Sequence, residues 1–433
     1  MEQNDSSLRF DLDNVSSHFS KANIIISTEL VDKTYTEATL AQKNSVRPYG
    51  FQTKKDIPIE YIKTNFEHNI NNHMQEFLFK YFVLSFLHRE LRQNKINVAG
   101  EPRLTNIEIN PSSDAIFSFD LSLFPKIEFQ NWKYYPFKAP KRKNYKDLDR
   151  QVEDFMRRER KKMKESPQSS IDIKDWVCFD IWVVDQKKKP TFGNHKENLW
   201  VKVGYEEADR EFQNLFLGKK PGDQLYASDD CVQEYFGSQI GKNYTFGITI
   251  KDFIPHRFFC FENFKRQFRI KTKKEIRTRL IEVFSFRNDL SQRQAMVEEA
   301  FKLMLSKYKF DVPNYLVLRQ QKNVLESIQK NPDYHVYKTQ KDFDDQIEKL
   351  ARKQIKEIIL IDQLAANENM KITHEDIVSY LNLTKRARMK EFIYFKMPET
   401  KIDGQETPIA SEVIKQQCLR EKVLNYIIYQ LTR

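Results

Sequence analysis

Glycine is scarce: 10 residues in 433, where average usage of about 7% would supply roughly 30. Phosphate cradles are built from glycine-rich loops, and neither GxGxxG nor GxxxxGK[ST] occurs, so a nucleotide-driven activity is not expected. The four cysteines, Cys178, Cys231, Cys260 and Cys418, are too scattered for metal-ligand spacing or a compact disulfide framework. Reduced thiols are the expectation. No His-Glu-x-x-His pair places two imidazoles on one helical face, so neither a metal nor a cofactor is expected. Long apolar runs are missing too: none reaches 18 residues, and residues 1–7 are polar, without the apolar core of a signal peptide. The expected location is cytoplasmic, with no membrane partner.

What is present is charge and aromatic mass. Lysine and arginine number 72 against 61 acids, a net +11, and 13% of the chain is aromatic, enough apolar surface to make disorder an unsuitable reading. At about 150 residues per domain the length fits roughly three domains.

Residues 18–31 mix alternation with β-branched side chains and read as a strand, followed by a short helix over 32–45. The loop 46–58 is bracketed by Pro48 and Pro58 and projects Phe51 beside Lys54 and Lys55. Across 59–93 the apolar residues, from Tyr61 to Leu91, recur at three and four positions, which predicts a long amphipathic helix, or two end to end. Residues 102–109 and 115–124 then alternate as a hairpin around Asn110-Pro111-Ser112-Ser113-Asp114.

The most charged stretch is 133–164, with Lys141-Arg142-Lys143 early and Arg157-Arg158-Glu159-Arg160-Lys161-Lys162 late. Leu148, Val152, Phe155 and Met156 give its second half one thin apolar stripe. This cluster from Lys141 to Lys164 is a candidate contact for nucleic acid, ribosomal RNA included, or a solvated linker helix. Short β-like runs dominate 171–255, at 176–184, 199–203, 224–227 and 244–250, with a short helix at 209–218: an antiparallel sheet wrapped on one helix. Beyond Pro255 helical periodicity persists to the end, with Pro313 suited to a helix start and Thr373 to a cap.

Three stretches, GFQTKKDIP at 50–58, KINVAGEPRL at 95–104 and FSFDLSLFPKIEFQ at 117–130, resemble the ribosome-binding domain of the trigger factor family. FDVPNYLVLRQQ at 310–321 and the run around Thr373 are similar to that family's chaperone domain. In the family the docking loop reads Gly-Phe-Arg-Lys-Gly-Lys. Here Gly50, Phe51 and Lys55 match, Gln52 and Thr53 replace the arginine and lysine, and Lys54 replaces the second glycine. The resemblance implies docking on the large ribosomal subunit at the tunnel exit through these six residues. The alternative is a solvated turn in which Phe51 packs back on Tyr61.

By position the middle segment resembles an FKBP-type prolyl isomerase domain. That chemistry needs no nucleophile, because the barrier of about 18–20 kcal/mol comes from amide resonance, and a pocket that grips the twisted amide suffices. The resemblance implies a pocket of Asp180, Ile181, Phe192, Phe212, Tyr235 and Phe246. Ile181 stands where the family has an aromatic, and Ala208-Asp209-Arg210-Glu211 replaces an apolar-apolar-Pro-Gly run on the pocket floor. The alternative is that these aromatics pack a small β-rich core. In the helical domain the implied client-facing surface comprises Met296, Phe301, Met304, Tyr315, Leu318 and Met370, set against ordinary helix-helix core as the other reading.

The expected fold is therefore multidomain α+β. It comprises an α+β ribosome-binding domain (1–130), a basic linker (131–170), a middle FKBP-like sheet-plus-helix domain (171–256) and an all-α chaperone domain (257–433). The expected function is ATP-independent shielding of nascent and unfolded polypeptides, with prolyl isomerase activity weakened by the altered pocket. A basic RNA-binding protein and a free prolyl isomerase are the alternatives. Client identity and a homodimer off the ribosome stay open.

Overall fold

The computed structural model describes residues 7–433 apart from 17–18, 47, 52–55, 95, 97, 99–100, 111, 124–126, 142–146, 166–167, 186, 238–242, 288–289 and 403. Its architecture is multidomain α+β, and the chain divides into two compact units. The first comprises Met1–Lys126 with Val183–Asn194 and Ser228–Phe246; the second holds Ile127–Trp182, His195–Ala227 and Gly247–Arg433.

Alternation builds the first sheet. Strands β1 (Leu8–Ser16), β2 (Phe19–Ile26), β3 (Arg103–Glu108) and β4 (Ala115–Ser122) pair antiparallel in the order β1-β2-β4-β3. Because successive side chains point to opposite faces, Ala22, Ile24 and Ile26 lie buried opposite Phe119, Phe117 and Ala115. Helices α1 (Thr28–Ser45), α2 (Ile59–Asn65), α3 (Glu67–Leu78) and α4 (Leu84–Gln93) join this face in one core through Leu30, Val31, Ile62, Ile70, Met74, Leu78 and Leu87. The long helix expected over 59–93 is broken twice: at Phe66, whose backbone leaves helical values, and by a π-turn over Phe79–Val83, where Leu84 N–H reaches Phe79 O. Strand β1 was not anticipated. The hairpin turn ends on Asp114, whose carboxylate accepts both Thr28 N–H (2.8 Å) and Thr28 Oγ1 (2.7 Å) and pairs with Arg9 (2.9 Å). These donors hold it below the usual carboxylate range.

After β4 come α5 (Leu148–Glu165), β5 (Trp176–Val184), β6 (Pro190–Lys202), α6 (Arg210–Phe216), β7 (Gln224–Ala227), α7 (Asp230–Phe236) and β8 (Thr245–Ile254). The helical part runs α8 (Phe261–Phe268), α9 (Lys273–Phe284), the two-residue strands β9 (Phe286–Arg287) and β10 (Leu290–Ser291), α10 (Gln292–Lys307), α11 (Asn314–Gln329), α12 (Tyr334–Lys338), α13 (Phe343–Asn367) and α14 (His374–Leu383). A hairpin of β11 (Lys401–Ile402) and β12 (Gln405–Glu406) then leads through β13 (Ile409–Ala410) into α15 (Ser411–Leu431). The second sheet has the order β13-β6-β5-β8-β7. Its edge strand β13 arrives more than 200 residues after β6, pairing Ile409 with Trp200 and Ala410 with Leu199.

Two side-chain assemblies hold the second unit together. The connector is anchored at its start: Trp132 is buried among Met296, Leu364 and Tyr426, and its indole N–H donates to Glu368, which also pairs with Lys133 at 2.8 Å. Farther on, the thin stripe of α5 (Leu148, Val152, Met156) sits in a core shared with Phe259, Phe261, Phe264 and Leu280. The second assembly clamps residues 256–260, which link β8 to α8. Asp175 accepts His256 N–H (2.6 Å), Glu159 accepts Phe259 N–H (2.7 Å), and Asn382 pairs with both the N–H and the C=O of Cys260. Arg386 bridges Glu159 (3.2 Å) and the carbonyl of Arg257 (2.9 Å).

His256 is held down to about 4 from an ordinary 6.5, first by burial and then by Arg386, Lys202, Lys174 and Lys385. Its folded form is therefore neutral, whereas the unfolded chain protonates near 6.5; stability falls as pH drops from about 6.5 to about 4 and stops falling below. Denaturant titrations across this window should show that slope in the parent and a flatter one in His256→Gln. Parallel profiles would remove the assignment.

Candidate functional site

Four surfaces come from the sequence, and the structure treats each differently. In the docking loop Gly50 adopts φ +99°, a left-handed value that glycine takes without a Cβ penalty. Phe51 is half-buried, its ring edge-on to Tyr61 at 5.2 Å. Gln52, Thr53, Lys54 and Lys55 lie outside the described residues. Beside them Tyr49 is fully exposed. The sequence reading passed over it, although an aromatic next to a bracketing proline in a loop was the available signal.

The six expected pocket residues divide between the two units. In the second, Asp180 is buried at the centre of β5 and its carboxylate is already engaged: it accepts Asn198 N–H at 2.8 Å and pairs with Lys251 at 2.9 Å. That bond raises the Lys251 pKa. Ile181 is buried beside it, and Phe212 stacks on Phe216, which meets Phe179 at 5.2 Å. In the first unit Phe246 is buried against Phe236 and Tyr244, and Tyr235 is half-buried. Here α7 is held by Gln233, whose amide exchanges hydrogen bonds with the N–H (3.0 Å) and C=O (2.6 Å) of Tyr244. Phe192 lies in β6, and its side chain is outside the described residues.

The run Ala208-Asp209-Arg210-Glu211 was expected to place charge on a pocket floor. Only Asp209 is buried; Ala208 and Arg210 face solvent and Glu211 is half-buried. A buried carboxylate is costly unless hydrogen-bonded, and Asp209 is: it accepts Glu206 N–H at 3.3 Å and Glu406 N–H at 2.7 Å. A side chain at Gly204 would collide with this carboxylate. The second donor comes from the β11–β12 hairpin, where Lys401 also pairs with Glu206 and Lys202 with Glu406. The charge that looked misplaced is thus the receptor for a segment almost 200 residues away.

The client-facing set needs correction. Met296, Phe301 and Met304 are buried in the core of α10, α13 and α15, since the inward stripe of α10 is the one that carries them. Periodicity cannot distinguish a core stripe from a binding stripe. Met370 is half-buried at the edge of the same core. Tyr315 and Leu318 do face solvent on α11, Leu318 at 65% exposure. The sequence reading missed Val336 and Tyr337 on α12 and Leu350 on α13, which are exposed as well. Helices α11 and α13 pack together, Gln320 donating to Gln354 at 2.8 Å. On α5, Arg157, Arg158 and Lys161 lie on the face away from the buried stripe, and Glu159 faces inward. Among the described residues no helix is long and apolar enough to cross a membrane.

Comparison with known proteins follows the same outline. The family model for bacterial trigger factor protein matches residues 10–155, and that for the bacterial trigger factor C-terminus matches residues 262–428. The trigger factor of Rickettsia canadensis (strain McKiel) is 24% identical over 411 residues, spanning 93% of this chain and 89% of the relative. That of Rickettsia massiliae (strain Mtu5) is 24% identical over 415 residues with the same coverage. A solved structure of the trigger factor chaperone aligns over 97% of this chain and 100% of its own at 14% identity and a TM-score of 0.39, a loose likeness. With the family's N-terminal and C-terminal models together matching more than two thirds of its residues, the chain belongs to the trigger factor family.

Proposed function

We propose that the chain is an ATP-independent chaperone that docks on the large ribosomal subunit through Gly50 to Lys55 and shields nascent and unfolded polypeptides. Residues 1–130 form the docking domain, 131–170 a basic connector, 171–256 an isomerase-like module and 257–433 the helical chaperone domain. The observation that carries this reading is the apolar surface of α11, α12 and α13, where Tyr315, Leu318, Val336, Tyr337 and Leu350 are all more than a third exposed. Where exposed apolar groups adjoin one another in a patch they mark an interaction surface. Many weak contacts of this kind release a client without nucleotide.

Docking rests on an aromatic beside cations, which suits a protein-RNA surface where phosphate contacts supply most of the affinity. The edge-on contact of Phe51 with Tyr61 is the packing that the solvated-turn alternative anticipates, so docking requires this ring to present its outer edge or to leave Tyr61. Prolyl isomerase activity is weak in this reading, because the Asp180 carboxylate is engaged by Asn198 and Lys251 and the floor run serves Glu406 instead.

Purified protein should co-sediment with ribosomes at moderate salt, and the triple change Phe51→Ala, Lys54→Ala, Lys55→Ala should abolish it. Equal binding by that variant would sink the docking assignment. Leu318→Ser with Val336→Ser and Leu350→Ser should raise several-fold the concentration needed to suppress aggregation of a denatured client, at an unchanged melting temperature because exposed sites contribute within about 0.5 kcal/mol. A protease-coupled prolyl-peptide assay should give turnover barely above the uncatalysed rate. Robust turnover would restore the free-isomerase alternative.

A further inference from the structure

A cleft of about 370 Å³ lies where the elbow between α8 and α9 meets the end of α15. Its wall includes Arg269, Lys271, Arg279, Tyr429 and Arg433, with Glu275 as the one carboxylate side chain. The elbow has a defined shape. Arg269 closes α8 in a left-handed conformation (φ 53°), Ile270 N–H reaches back to Lys265 O at 3.0 Å, and Thr272 with Glu275 forms the capping box of α9.

The charges in this cleft do not balance. Arg279 is committed to Glu282, its Nη1 donating to both carboxylate oxygens at 2.8 and 2.9 Å. Glu275 is spent on the elbow: one oxygen accepts Lys271 N–H (2.6 Å) and Thr272 N–H (3.0 Å), donors that hold it below the usual carboxylate range. Arg269, Lys271 and Arg433 make no ion pair among the described residues, nor do Lys273 and Lys274 in the first turn of α9. Two lysines there oppose the helix dipole, which favours acids at that end, so helix stability does not explain them.

The two arginines are also prepared for oxyanions. The Arg269 guanidinium lies 4.7 Å from the Tyr426 ring centroid and that of Arg433 4.5 Å from Tyr429. Seating the planar group on a ring fixes it and leaves its N–H edges available as a fork that matches phosphate. A compact ammonium, Lys271, follows Arg269 by two residues in the elbow and lines the same cleft.

We propose that this cleft binds phosphate groups, presented by a single-stranded RNA backbone or as a free phosphate. The row from Arg269 to Lys274 continues the positive charge beyond the cleft, which suits a repeating phosphodiester better than an isolated carboxylate. Its residues are not those of the docking loop or of the cationic face of α5, and it does not depend on the chaperone reading.

The test uses the full chain. Fluorescence polarisation with a labelled short oligouridylate, repeated over a salt series, is compared for the parent, for Arg269→Ala/Lys271→Ala/Arg433→Ala, and for Arg157→Ala/Arg158→Ala/Lys161→Ala in α5. Losing three phosphate contacts lowers the salt slope by about 2, and the cleft variant should show this together with a several-fold loss of affinity. The charge-preserving pair Arg269→Lys/Arg433→Lys should keep the slope. Calorimetry with inorganic phosphate and pyrophosphate distinguishes the free-phosphate source: heat in the parent that vanishes in the cleft variant supports it. The proposal is overturned if the cleft variant matches the parent in both experiments, if the α5 variant alone removes all binding, or if polyglutamate binds while RNA and both phosphates do not.

Discussion

Six backbone groups between His256 and Cys260 are gripped by side chains from before β5, from α5 and from the end of α14, and the second unit depends on that grip. The segment links a sheet to a helical bundle, and a buried stretch without regular structure must have its polar groups met elsewhere. Asp175, Glu159, Asn382, Lys385 and Arg386 meet them. The environment is demanding enough that burial holds the Lys385 amine down to about 8. Around the clamp sits the aromatic core of Phe155, Phe259, Phe261 and Phe264, so the polar grip and the apolar packing fix the same few residues.

Much of the fold was legible because periodicity survives burial. Strand β2, the β3–β4 hairpin and the cap at Thr373 follow from alternation and turn chemistry. Strand β1 was not read because Leu8, Phe10 and Leu12 lie in a run otherwise rich in Asp and Asn, residues that disfavour strands. β13 has two residues, too few for any pattern. The site was less legible than the fold for a physical reason: Met296 and Leu318 have the same helical spacing signal, and only the neighbouring helices decide which is covered. The sequence also offered Lys141 to Lys164 as a cationic surface, and α5 presents much of it, yet Glu159 in that run turned out to be the carboxylate of the clamp that pairs with Arg386.

Between the two stretches that the family models match, one buried carboxylate ties distant parts of the chain together. Asp209 is buried there, and Gly204 leaves room for its carboxylate. The hairpin at Gln405–Glu406 supplies the matching N–H. A buried carboxylate that would be costly in isolation is met here by backbone donors from two segments far apart in the chain, at Glu206 and Glu406.

The pairing of β13 with β6 has a temporal meaning. A chain emerges from its N-terminus, so β6 is made long before Ile409 and Ala410 exist to cover its edge. Until α15 begins to emerge, the second sheet carries an open strand edge of the kind that recruits other strands, and Asp209 lacks one of its two donors. Contacts this far apart in sequence form late and slowly. The chain therefore passes through a prolonged unfinished state, in which the edge of β6 stays open until its last strand is made.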